Sequence, residues 1–346
     1  VNVLLILDHA PDYRETFLRE LSSYVNLTVI AQSCTKDNLT PPVTRVGYKY
    51  IEIQTFNVLG FKFQRTFNKN INKDGYDVIC VALNIRYVNR IISSLTLNRR
   101  KLVWWGQVYG RNDSPIVNTI KKVLINKSQG CLVYSKNIEK KLSLVTNKKV
   151  ISFNNTEVSK KEFRAGVYSD SKKLKLLFVG RNQERKRLDR LIELAKRLSY
   201  IELKLVGPGM DKLIGSDDLP DNIQTYGHTT GVKLNSFFDW CDVVVNPGHV
   251  GLLVMNAARH GKSIIIDSSS NHAPEYILAE ESDQSFIDFS NINKVIEHMN
   301  KIYENQEMLK TKAQKLQERA FQEYNIEQMA KIHYEFFCSI SNGNVV

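Results

Sequence analysis

Short apolar runs rich in β-branched residues alternate along this chain with longer stretches in which apolar positions recur every three or four residues. The first pattern suits strands and the second suits amphipathic helices, so their alternation predicts βαβ units around parallel sheets covered on both faces. In the first half, strand-like runs fall at residues 3–7, 27–31, 48–53, 78–82, 102–105 and 131–134, with helical patterns at 13–24, 87–97 and 115–125. A polar stretch at residues 153–173, FNNTEVSKKEFRAGVYSDSKK, interrupts the rhythm and reads as a linker. Beyond it, strands are expected at 174–179, 202–206, 223–226, 243–246, 263–266 and 286–289, and helices at 187–198, 232–240 and 252–260. A helical tail begins near Ile292, breaks around Tyr324 and Asn325, and resumes over 326–340. The expected fold is α/β, with two Rossmann-like domains at residues 1–165 and 166–325 and a final helix, 326–346, that crosses back to the first domain.

Composition agrees with two domains, because 346 residues, 42% of them hydrophobic, exceed one ordinary core. The net charge of +12 is unevenly placed: residues 1–165 hold 26 basic and 12 acidic side chains, whereas residues 166–346 hold 22 and 24. All of the excess lies in the first half, in clusters at residues 61–73, 86–101 and 136–149. Segment 61–73 interleaves Phe61, Phe63 and Phe67 with Lys62, Arg65 and Lys69, and reads either as a solvated helix face with inward phenylalanines or as an element that dips into an anionic membrane interface. Five scattered cysteines offer neither a zinc knuckle nor a disulfide framework, and suit a reducing cytoplasm. The opening residues have neither signal-peptide nor membrane-span character. No nucleic-acid recognition element is visible, and the absence of Asp-x-Asp or a His/carboxylate cluster points to metal-independent chemistry.

Candidate chemistry gathers at predicted strand ends, where helix amino termini aim backbone N–H groups at anions. In LLFVGRNQERKR, Gly180 and Arg181 directly follow a strand and Lys186 stands at the next helix entrance, two cations suited to a diphosphate. The alternative is a solvated basic helix start, although cations there oppose the helix dipole. LKLVGPGMD turns at Gly207 and Gly209, which an ordinary βα turn also explains. In VVVNPGHVGLLVMNAARHGKSIII, Gly248 and Gly251 bracket the turn into a helix, so backbone can approach a ligand closely.

These segments, in this order, resemble the donor domain of GT-B retaining glycosyltransferases of the family-four type, which assemble bacterial polysaccharides, O-antigens and capsules. The family's Gly-Arg…Lys strand end is similar to Gly180, Arg181 and Lys186, its Val-Gly-x-Gly turn to residues 206–209, and its Tyr-x-Asp strand start to residues 240–242. Its Glu-x7-Glu segment maps onto residues 248–256, followed by an AxxxG stretch at 257–261 and the pair Pro274-Glu275. In the first half, DYRETFLREL resembles the YRxxFFxxL helix of O-antigen and capsule enzymes, and Asn155-Thr156 resembles the pair at their domain junction. The resemblance implies two domains facing each other across a cleft and a nucleotide-diphosphate sugar, of UDP or GDP type, as donor. Arg181 and Lys186 would grip the diphosphate. Both motif glutamates are replaced, by Gly248 and Asn256, so backbone groups of His249, Val250, Gly251 and Leu252 would read the donor sugar and the Asn256 amide a ribose hydroxyl.

In VWWGQVYGRND, Gln107 and Arg111 should lie at a strand's carboxyl edge, Gln107 where related enzymes often carry histidine. An amide cannot serve as a general base. Trp104 and Trp105 suit packing or sugar stacking. Asp8, His9, Asp12 and Arg14 cluster between the first strand and helix; Asp12 either caps that helix or, with Asp8 or His9, meets an acceptor hydroxyl. The expected function is therefore sugar transfer, with retention, to a polysaccharide or lipid-linked oligosaccharide at the cytoplasmic face of an anionic inner membrane. A nucleotide-sugar 2-epimerase and an inactive basic binding module are the alternatives.

Overall fold

Val3, Leu4, Leu5, Ile6 and Leu7 are buried in succession, as a strand covered on both faces requires, and they form the centre of β1 (Asn2–His9). The computed structural model describes residues 1–34, 39–65, 67, 71, 75–96, 101–110, 113–168, 171–210 and 219–342. The chain divides into two units, Val1–Glu157 with Ile326–Val346, and Val158–Asn325.

In the first unit β1 is followed by β2 (Asn26–Gln32), β3 (Lys49–Glu52), the hairpin β4 (Thr55–Val58) and β5 (Phe61–Gln64), then β6 (Val78–Ala82), β7 (Leu102–Gly106), β8 (Gly130–Val133) and β9 (Lys149–Ser152). Seven strands pair in parallel in the order β3-β2-β1-β6-β7-β8-β9, with Leu5 opposite both Val29 and Cys80. The order reverses between β1 and β6, which opens a crevice at their carboxyl ends. One face of the sheet packs against helix Asp12–Ser22 and the final helix, Ile326–Ser341; the other packs against helices Pro115–Asn126 and Lys136–Ser143. Ser114 caps the helix Pro115–Asn126 by accepting Val117 N–H at 3.3 Å, with proline at the first helical position.

Ile326, Met329, Ala330, His333, Phe336, Phe337 and Ile340 recur at helical spacing and are buried in the first unit's core. The Trp105 indole donates to His333 Nε2 at 2.9 Å and stacks on Phe153 at 5.4 Å, while His333 Nδ1 donates to the Met329 carbonyl at 2.7 Å. A buried indole and a buried imidazole thereby satisfy each other.

The second unit contains β10 (Leu174–Val179), β11 (Ile201–Val206), β12 (Ile223–Tyr226), β13 (Val243–Asn246), β14 (Ser263–Asp267) and β15 (Ser285–Ile287). They pair in parallel in the order β12-β11-β10-β13-β14-β15, the doubly wound order with its reversal between β10 and β13. Among the described residues no helix is long and apolar enough to cross a membrane.

Four features depart from the sequence reading. The units divide at Glu157, not at residue 165: Val158 lies in the second core, Ser159 N–H reaches Glu162 Oε2 at 2.8 Å, and Arg164 N–H reaches the Arg259 carbonyl at 2.9 Å. The polar stretch is thus partly docked, its polarity consumed by specific bonds. Residues 61–64 form a strand and not a helix face, because Leu59 (φ 48) and Gly60 (φ 84) close a two-residue hairpin turn; Lys69 lies outside the described residues. Strand β9, with only two apolar residues at a sheet edge, and a break at Asn305 in the helical tail were not expected.

Burial holds the His333 imidazole at a pKa of about 3, well below its ordinary value. The unfolded chain binds this proton more readily, so the associated stability is complete above about pH 6.5 and is lost progressively as pH falls towards the folded value. His333→Gln, which retains an acceptor for Trp105, is expected to flatten the fall of Tm between about pH 7 and about pH 4.5. Parallel Tm curves for the two proteins would show that this imidazole is not responsible.

Candidate active site

At the carboxyl edge of the second sheet, β10 and β11 end in backbone contact. Gly180 N–H donates to the Val206 carbonyl at 2.9 Å, and a Cβ on Gly207 (φ 141) would stand 2.0 Å from the Gly180 oxygen. Only glycine satisfies both the left-handed φ and the space. Asn182 ties down the following turn: its N–H bonds the Pro208 carbonyl at 2.9 Å and its amide the Gly209 carbonyl at 3.1 Å. Arg181 projects from this edge as an exposed side chain.

The single turn Glu184–Lys186 then lies over the loop after β13. His249 N–H donates to the Arg185 carbonyl at 2.9 Å, and the Lys186 ammonium returns a bond to the His249 carbonyl at 2.7 Å. A Cβ on Gly248 would stand 2.3 Å from the Arg185 oxygen, so neighbouring backbone fills the space a side chain at this position would need. Beneath it, Asn246 is fully buried, accepts Gly248 N–H at 3.2 Å, and leaves its own Nδ2 without a partner.

Behind the loop, Val250 N–H donates to His272 Nδ1 at 3.2 Å, which leaves His272 Nε2 to donate to the Asp267 carbonyl at 2.7 Å. His249 Nδ1 donates to the Asn271 carbonyl at 2.6 Å. Burial lowers the pKa of both imidazoles. Burial, reinforced by the adjacent Arg185, also lowers Lys186 to about 8. A buried ammonium beside another cation is costly unless an anion joins it. Val250 is buried and Gly251 packs near Ala273, while Leu252 precedes the helix Leu253–Arg259, on which the Asn256 amide donates to the Leu252 carbonyl at 3.3 Å. Gly180, Arg181, Lys186, Gly207, Gly209 and the 248–252 loop thus share one sheet edge, with Asn256 one turn into the helix.

In the first unit a cavity of about 570 Å³ opens at the ends of β1, β6 and β7, lined among others by Asp8, His9, Arg14, Asn84, Trp105 and Gln107. Asp8 is held from both sides, by Arg90 Nη1 at 2.5 Å and by the Asn84 amide at 2.8 Å. Arg90 is only 1% exposed, also donates to Gln64 and the Leu7 carbonyl, and stacks on Tyr87 at 3.8 Å. Both oxygens of Asp8 are therefore engaged in structure. His9 contacts the Gln32 amide through Nε2 at 2.7 Å. Gln107 is exposed on the cavity rim, after Gly106 and before Val108 (φ 59).

Asp12 does not line this cavity. It begins helix Asp12–Ser22, where Pro11 holds the cap position, and its exposed carboxylate accepts Tyr13 N–H at 2.7 Å. Trp104 is fully buried, with its indole on the Leu124 carbonyl at 3.0 Å, so it is a core residue. Arg111 lies outside the described residues. Sequence reasoning missed Arg90, Asn84, Asn182 and His272. Asn84 and Asn182 carried a usable signal as polar residues within three positions of a strand end; a cation buried within a helix carries none.

Gly248→Ala is expected to lower Tm by several degrees, since displaced backbone costs at least the roughly 1–3 kcal/mol typical of overpacking. Gly251→Ala, whose nearest neighbour would be 3.4 Å away, is expected to leave it unchanged. Equal melting of both variants in a thermal scan would contradict this packing.

Residues 159–323 match the family model of glycosyl transferases group 1. No curated protein matches the chain. Among solved structures, sucrose-phosphate synthase from Thermosynechococcus elongatus is similar at 14% identity and TM-score 0.76, over 99% of this chain and 99% of that one. HepE from Anabaena in complex with UDP is similar at 14% identity and TM-score 0.71, over 98% of this chain and 100% of that one. A glycosyltransferase from Rickettsia africae is similar at 12% identity and TM-score 0.73, over 98% of each chain. At these identities the structures speak for the fold, and the family model speaks for the chemistry of the second unit. Two doubly wound units, the second of them a group 1 glycosyl transferase domain, make this chain a glycosyltransferase of the GT-B fold.

Proposed function

We propose that the enzyme transfers a sugar from a nucleotide-diphosphate sugar to a hydroxyl of a polysaccharide or lipid-linked oligosaccharide, with retention at the anomeric carbon. The observation that carries this reading is Lys186: a partly buried ammonium, pinned to the His249 carbonyl at 2.7 Å, at the reversal point of a doubly wound sheet. Lys186 and Arg181 hold the diphosphate, and the backbone of residues 248–252 holds the donor sugar. Asn256 takes a ribose hydroxyl. The UDP in the HepE structure favours a uridine donor here.

Asp8 has both oxygens bound and Gln107 has no basic atom, which supports a front-face reaction over a carboxylate nucleophile. The bond from the anomeric carbon to the diphosphate oxygen breaks as the acceptor oxygen attacks from the same face, and the acceptor proton passes to the departing phosphate. Arg181 and Lys186 stabilise the charge that develops there, without a metal ion. The first unit takes the acceptor. Its basic excess, and a hairpin that exposes Phe56, Val58, Leu59 and Phe61 beside Lys62, support docking on the cytoplasmic face of an anionic inner membrane.

In a thermal-shift panel of nucleoside diphosphates and nucleotide sugars, UDP and its sugars are expected to stabilise the wild type. Arg181→Ala/Lys186→Ala is expected to weaken that response by at least about a hundredfold in ligand concentration, each charge-assisted bond contributing about 1.5–3 kcal/mol. Nucleotide affinity should also fall as pH rises through about 8, where Lys186 gives up its proton. Absence of any nucleotide response in the wild type, or an undiminished response in the double variant, would remove the donor site from this edge.

A further inference from the structure

Arg14 is another buried cation, and unlike Arg90 and Lys121 in the same unit it has no acid beside it. It is 6% exposed, yet it makes no ion pair among the described residues. Its one hydrogen bond is long, from Nη2 to the Tyr134 hydroxyl at 3.4 Å, and Nη1 has no partner. Three rings surround the guanidinium, those of Tyr13 at 5.6 Å, Trp105 at 5.4 Å and Tyr134 at 5.7 Å. Ring faces offset part of the desolvation of a cation but supply no counter-charge.

The neighbouring acids are already committed. Asp8 is taken by Arg90 and Asn84, and Asp113 by Lys121 and Gly110 N–H. Glu15 accepts from the Tyr48 hydroxyl and pairs with Arg45, and Asp12 bonds its own helix. Arg14 also stands in the first turn of helix Asp12–Ser22, where a cation opposes the helix dipole. An anion at this place would therefore gain from the guanidinium and from the helix terminus together. Arg14 lines the 570 Å³ cavity, on whose wall Arg86 is a further cation with no ion pair among the described residues.

We propose that this cavity is an oxyanion site, with Arg14 as the residue that receives a phosphate or carboxylate group of the acceptor. The inference rests on the reading that the first unit takes the acceptor, and it extends that reading to the acceptor's charge. The aromatic walls would pack against the sugar that carries the group, and Arg14 would set its orientation.

The test uses full-length Arg181→Ala/Lys186→Ala protein, so that anions at the donor edge do not interfere, and titrates inorganic phosphate and sodium glucuronate separately without any nucleotide. Saturable stabilisation by at least one of them is expected; a response to phosphate alone identifies a phosphate-bearing acceptor, and to glucuronate alone a uronic acid. Adding Arg14→Met should weaken the effective anion at least tenfold while leaving Tm equal or higher, because an uncompensated buried charge has been removed. Arg14→Lys should retain part of the response, and Arg14→Gln serves if the Met variant does not fold. If neither anion stabilises the parent, or if folded Arg14 variants bind the anion as well as the parent, the proposal is wrong. A lower Tm for Arg14→Met with unchanged anion binding would make Arg14 a purely structural residue.

Discussion

The carboxyl edge of the second sheet depends on one close approach, that of the Arg185–Lys186 backbone to the α-carbon of Gly248. With no side chain between them, His249 N–H and the Lys186 ammonium can close a pair of bonds, at 2.9 and 2.7 Å, between the turn after β10 and the loop after β13. Those two strands flank the reversal of strand order, so the bonds hold the walls of the crevice in register. The lysine is thereby placed and partly desolvated before any ligand arrives, and such preorganisation makes a cation effective towards developing phosphate charge. His272 and Asp267 support the loop from behind, and both bonds of His272 require one tautomer.

This contact also accounts for a glycine at position 248. A glutamate at position 248 would need space that the 185–186 backbone fills, so the change is coupled to the neighbouring turn and is not an isolated loss. The main-chain groups of this loop are held in place by Asn246, His249 and His272. At the second motif position Asn256 keeps hydrogen-bonding capacity, although its amide here turns back to Leu252.

Buried cations organise the first unit in two different ways. Arg90 is neutralised by Asp8 and joins the ends of β1 and β6 through the Leu7 and Ala82 carbonyls, so it serves the architecture of the crevice. Arg14 has rings in place of an acid, and it lies where an incoming group can supply the missing charge. The final helix closes the core behind both through His333 and Trp105, and Trp105 contributes to core and cavity wall alike.

Apart from β9, the strands of both parallel sheets and most helices were legible in the sequence because burial on both faces imposes continuous apolar runs, as at residues 3–7 and 174–179, and because helix burial imposes a 3.6-residue period. That the strand-end glycines and cations of the second unit share one sheet edge was legible for a similar local reason: chain order alone puts Gly180, Gly207 and Gly248 just after strands. The hairpin, the docked polar stretch and strand β9 were not, since each is stabilised by partners elsewhere and not by its own periodicity. The same holds for the site. Asp8 could be marked as a strand-end carboxylate, but its capture by Arg90 joins residues 82 positions apart, and the Trp105–His333 bond spans 228. Sequence by itself determined which segments become elements and which strand ends carry charge; tertiary structure alone decided which charges are spent on one another and which are left for a ligand, because pairing depends on distance in space.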